Sequence, residues 1–109
     1  MELTFASADL KRTCEDSRFA QRRLGTDCAK KLQARLADLI AAARLGEVTA
    51  GKPHPLNGDR EGQFSLSLAG GRRLVLAPTD DPLPKRCDGT IDWANVQSVR
   101  IVFIGDYHD

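Results

Sequence analysis

The 109-residue sequence is short of several things, and each shortage excludes a class of protein. Its longest apolar stretch, Leu39 to Ala43, is far from the roughly 20 residues that cross a bilayer. The opening Met1-Glu2-Leu3-Thr4 has no basic flank ahead of an apolar core, so no secretory signal is read there and a cytoplasmic protein is expected. The three cysteines, Cys14, Cys28 and Cys87, have neither CxxC nor Cys/His ligand spacing. They predict free thiols, two of them in the core and Cys87 exposed, with no disulfide framework, no metal site and no cofactor.

Net charge is also scarce, only +1, which excludes a protein that holds nucleic acid by bulk electrostatics alone. The charge is unevenly distributed. Residues 1–75 carry thirteen Lys/Arg against nine Asp/Glu, whereas residues 76–109 carry three against six, which allows a basic cleft within a near-neutral chain. The length and an apolar fraction of 41% fit one soluble domain spanning residues 1–109 with a modest core.

What is present is a readable order of elements. Glu2-Leu3-Thr4-Phe5 alternates as a short strand, and Ser7 is a suitable N-cap for a helix that begins near Ala8 and continues to Leu24. Gly25-Thr26-Asp27 supplies a stop and a new cap. From Cys28, the spacing of Leu32, Leu36, Leu39, Ile40 and Ala43 predicts an amphipathic helix ending near Gly46, packed on the first as an antiparallel hairpin.

Residues 51–62, with two prolines and three glycines, predict a loop. Gln63 to Leu68 and Arg72 to Leu76, joined by Ala69-Gly70-Gly71, predict a β-hairpin. Pro78 to Asp92, rich in proline and aspartate, reads as a second loop, ended by Trp93. Val96 to Ile104 is the last strand, with Val99, Ile101 and Phe103 on one face and Trp93 and Phe103 assigned to the core. The expected architecture is α+β in the order β-α-α-β-β-β, an antiparallel-rich sheet curved around a helical hairpin.

That order, together with Pro55-Leu56-Asn57-Gly58-Asp59-Arg60-Glu61-Gly62-Gln63-Phe64-Ser65-Leu66 and the ending Asp106-Tyr107-His108, resembles the HigB-like branch of the RelE/ParE toxin superfamily over nearly the whole chain. Asn57 stands where the branch usually has lysine, the net charge is nearer neutral, and the 78–92 loop is longer. The resemblance implies the toxin of a type II toxin-antitoxin pair, an mRNA endoribonuclease working in the ribosomal A site. In this chemistry the 2′-hydroxyl attacks the adjacent phosphate without a metal. The implied partners are a helix-turn-helix antitoxin, the ribosome and mRNA, with operator DNA reached only through the antitoxin. The alternatives are a ParE-like gyrase inhibitor without nuclease activity, and an antitoxin-binding module whose site has decayed.

The reaction needs a proton acceptor, a cation at the phosphoryl oxygens and a proton for the leaving oxygen. An imidazole titrates near neutrality, so His108 is the first candidate for proton transfer, with Asp106 or Asp109 to orient it. By resemblance Arg73 clamps the scissile phosphate, for which a guanidinium fork is suited. Adjacent strand residues face opposite sides, so its neighbour Arg72 is a competing contact or a solvated charge. Tyr107 is placed to stack on a base, bond the phosphate or pack on the sheet. Lys52, His54, Asn57 and Arg60, in or beside the 51–62 loop, are expected to touch the RNA backbone.

Overall fold

The computed structural model describes residues 1–106. Strand β1 is Glu2–Phe5, and three helices follow it: α1, Ala8–Glu15; α2, Ser17–Leu24; and α3, Thr26–Ala41. Then come β2, His54–Pro55; β3, Phe64–Ser67; β4, Arg73–Pro78; and β5, Ser98–Gly105. The α+β class and the element order are as expected, with two additions. No helix among the described residues is long and apolar enough to cross a membrane.

The first addition is a break in the leading helix. Ser7 caps α1 as anticipated, its hydroxyl accepting from the Leu10 N–H at 3.1 Å. Asp16, however, adopts extended backbone (φ −114°, ψ 104°), and its carboxylate accepts from the Phe19 N–H at 3.1 Å, so it opens a separate α2. A short polar side chain that can satisfy an orphan N–H favours a cap over a helix interior. Gly25 (φ 82°) then turns the chain into α3. That helix buries Leu32, Leu36 and Leu39 but stops at Ala41, short of Gly46. It stops because the chain is drawn to β5's leading segment: the Leu45 N–H donates to the Val96 carbonyl at 2.9 Å. Gly46 lies against Ala94, where a Cβ would meet Ala94 atoms at 3.0 Å. Ile40, expected on the buried stripe, is 64% exposed.

The second addition is β2, two residues within the proline-rich loop. It extends one sheet whose order is β1-β5-β4-β3-β2. β1 runs parallel to β5, and the other pairings are antiparallel, which makes the sheet mixed. Pro55 is tolerated because β2 is an edge strand, where a missing N–H breaks no inner ladder.

The helices cover one face of this sheet. Phe64, Leu66, Leu74, Leu76, Val99 and Ile101 project into the core with Leu32, Leu36 and Leu39. Phe103 does not join them. Val75 pairs with Phe103 but Leu76 pairs with Ile101, so Val102 is an extra residue, a β-bulge. The bulge resets the period-two alternation, sending Ile104 toward the core and Phe103 to the opposite face beside Val75.

Candidate active site

The sheet face turned away from the helices gathers most of the residues singled out in the sequence. In register across it stand His54 on β2, Ser65 on β3, Val75 on β4 and Phe103 on β5. The next row on the same face is Ser67, Arg73 and Gly105. Arg60, in the helical turn Gly58–Arg60, places its guanidinium carbon 4.4 Å from the centre of the Phe103 ring and donates to Gln63 Oε1 at 3.0 Å. The bulge therefore provides the apolar seat that positions this arginine, a cation-π contact that keeps the charge at the face.

His54 is held by its own loop. Gly51 (φ 87°) and Lys52 (φ 49°) are consecutive left-handed residues, an uncommon conformation for lysine. They set the Lys52 carbonyl 2.7 Å from His54 Nδ1. A carbonyl only accepts, so Nδ1 donates, and in the neutral ring the lone pair is left on Nε2. The loop is fastened from behind. The Ser67 N–H donates to the Gly51 carbonyl at 2.7 Å, and Arg35 Nε of α3 donates to the Ser67 carbonyl at 3.0 Å. A side chain at Gly51 would put its Cβ 2.5 Å from Arg35 Nε.

The two arginines of the hairpin divide as strand alternation requires. Arg73 is half-buried on the site face, its Nη1 donating to the Arg72 carbonyl at 3.2 Å. Arg72 is half-buried and directed away from that face. Its Nη1 donates to the carbonyl of Leu24, at the end of α2, at 2.7 Å. Ion pairs among the described residues are Arg12–Asp16 and Arg23–Asp9, both within the helices, so neither Lys52 nor Arg73 is matched there by a carboxylate. Lys52 and Asn57 are exposed, and Asn57 opens the Gly58–Arg60 turn.

Between His54 and Val75 lies a residue whose type carries no functional signal in the sequence. Ser65 has no exposed surface, and its hydroxyl has no hydrogen-bond partner among the described residues. An unsatisfied buried hydroxyl costs about 1–3 kcal/mol. Tyr107 and His108 lie outside the described residues. They follow β5, whose Gly105 pairs with Arg73.

No family model and no curated protein matches the sequence. Solved structures do match the fold. A YoeB/ParE toxin from Agrobacterium tumefaciens superposes with a TM-score of 0.61 at 17% identity, covering 99% of this chain and 100% of that one. The YoeB-YefM complex from Staphylococcus aureus gives 0.57 at 18%, and the YoeB dimer of that organism 0.57 at 20%. Each covers 100% of this chain and 98% of its own. The chain thus has the RelE-like fold shared by the YoeB/ParE toxins, over its whole length.

Proposed function

We propose that this chain is the toxin of a type II toxin-antitoxin pair, close to the HigB-like branch, and that it cuts mRNA on the ribosome. The observation that carries this reading is the fixed His54, set on the same sheet face as Arg73 in a fold shared with YoeB/ParE toxins.

In the reaction, His54 Nε2 takes the proton of the 2′-hydroxyl as that oxygen attacks the adjacent phosphorus. The P–O5′ bond breaks, leaving a 2′,3′-cyclic phosphate and a 5′-hydroxyl. His108 supplies the proton to the departing oxygen, and Tyr107 stacks on a neighbouring base. Arg73, with Arg60 behind it, neutralises the charge that grows on the phosphoryl oxygens. Lys52 and Asn57 contact the flanking backbone.

A net charge of +1 gives the chain little grip on RNA by itself, so the ribosome supplies substrate positioning, and the protein acts in the cytoplasm. The partner is a helix-turn-helix antitoxin, through which operator DNA is reached. A solved YoeB-YefM complex of the same fold supports a protein partner.

Induced expression of the chain, with mRNA 5′ ends mapped, tests the reading. Codon-periodic cuts that disappear on co-expression of the neighbouring small gene are expected. Growth arrest with intact mRNA and inhibited DNA supercoiling would replace it with a gyrase inhibitor.

A further inference from the structure

A second concavity lies across the edge strand β2 from His54. It opens beside β2, between residues 55–62 and the arm of residues 83–93, and encloses ≈ 670 Å³. Its lining includes Leu56, Asn57, Lys85, Arg86, Ile91 and Trp93. Pro55 of β2 also lines it; Pro55 is in register with core-facing Phe64 and His54 with Ser65 on the other face, so the cleft and His54 lie on either side of this edge strand.

The arm is a closed structure. Lys85 and Ile91 form a β-bridge, the Arg86 N–H donates to the Thr90 carbonyl at 2.8 Å, and the Asp92 N–H donates to the Pro84 carbonyl at 3.0 Å. Asp88 accepts from both the hydroxyl and the N–H of Thr90, at 2.6 and 2.9 Å, and these bonds hold its carboxyl below the usual range. The nearby Arg86 charge lowers the Asp88 carboxyl as well, by less than these bonds do. Neither Lys85 nor Arg86 forms an ion pair among the described residues. Glu61 is the one carboxylate in the lining, against these two cations.

Trp93 sits at the base of the arm. Its indole rests on the core through Phe64, ring centres 5.1 Å apart, and remains partly exposed where it lines the cleft. Apolar walls, one backed aromatic and two cations, neither of them in an ion pair among the described residues, are the combination that holds a nucleotide: the base stacks and the phosphate is neutralised.

We infer that this cleft is a nucleotide subsite, which takes a base of single-stranded RNA flanking the scissile bond against Trp93 and its phosphate on Lys85 and Arg86. The inference rests on RNA being the substrate of the face that carries His54. It adds what that face lacks, a hold on the strand outside the reacting phosphate, and so a source of sequence preference.

Trp93 is the single tryptophan of the chain, so its fluorescence reports on the cleft directly. The full chain is titrated with a 2′-O-methyl RNA hexanucleotide, which has no attacking hydroxyl and cannot be cut. Quenching is expected with a dissociation constant of about 10⁻⁴ M, in the range of non-specific binding at physiological salt. The Lys85→Glu/Arg86→Glu variant, checked for an unchanged melt, should bind at least about tenfold more weakly. Its dependence on log salt should be shallower by roughly 0.7 for each phosphate that the variant no longer neutralises. On programmed ribosomes the same variant should raise KM and keep kcat.

Charge-dependent quenching by the hexanucleotide in a protein that cuts no RNA would support the subsite and refute the nuclease. Cutting with no change in Trp93 emission, or equal binding by the doubly substituted variant, would overturn the subsite alone. Quenching by a polyglutamate peptide but not by the hexanucleotide would overturn it too, and give the cleft to a protein partner.

Discussion

Arg72 crosses to the helix side of the sheet and donates to the carbonyl of Leu24 at 2.7 Å, whereas Arg73 stays on the site face. A charged donor on a half-buried helix-end carbonyl contributes about 1.5–3 kcal/mol. Arg72→Ala should therefore lower the melting temperature, by ~4–8 °C for each kcal/mol of stability removed from a domain of this size. Arg73→Ala should leave the melt unchanged and cost on the order of 10² to 10³ in single-turnover cleavage on ribosomes. A stable Arg72→Ala beside an unfolded Arg73→Ala would reverse this assignment.

The bond from His54 Nδ1 to the Lys52 carbonyl separates holding the loop from moving a proton. His54→Asn retains an N–H donor at the Nδ1 position for that carbonyl but has no basic nitrogen, so it should keep stability and lose about 10² to 10⁴ in cleavage rate. His54→Ala should lose as much activity, with the loop less ordered as well. Near-native cleavage by His54→Asn would remove the histidine from proton transfer and leave His108 to do it.

Ser65 offers a test in the opposite direction. Its buried hydroxyl has no partner among the described residues, so Ser65→Ala removes a desolvation cost of about 1–3 kcal/mol without breaking a bond. The urea midpoint should stay level or rise. A fall of the midpoint would show that the hydroxyl is bonded in solution.

Burial, with a smaller effect from the Glu15 charge, pushes the Cys14 thiol from 9.0 up to about 12. A thiol held neutral in the folded chain but free to ionise in the unfolded one favours folding only below the unfolded value. Stability should therefore decline as pH rises from about 9 toward about 12, and Cys14→Ala should flatten that decline. In native protein at neutral pH a thiol reagent should label exposed Cys87 quickly and reach buried Cys14 and Cys28 only on unfolding. Mass spectrometry after a short pulse distinguishes the three sites.

Elements governed by local chemistry are legible in the sequence. The spacing of Leu32, Leu36 and Leu39 marks α3, and Gly70-Gly71 marks the turn between β3 and β4. Features decided by distant partners are not. Nothing near Arg72 indicates a carbonyl 48 residues earlier, and Pro55 hides a strand that exists only because β3 lies beside it. The alternation of Val99 and Ile101 does not extend to Phe103, because the bulge at Val102 is set by pairing with β4. At the site, residue types point to His54, Arg60 and Arg73, but the direction of the His54 ring depends on two left-handed residues that sequence pattern does not encode.

The parallel pairing of Glu2–Phe5 with Ser98–Ile101 also governs timing. While a ribosome is making the chain, α1, α2 and α3 can form early from near neighbours, but β1 must wait for a partner more than ninety residues downstream. Contacts of such long range form slowly, since loop closure precedes any gain. Phe103, the seat of Arg60, arrives on that same late strand. A nascent chain therefore carries His54, Arg60 and Arg73 before the strand that seats Arg60 has been made, and no active face can exist until β5 has paired with β4.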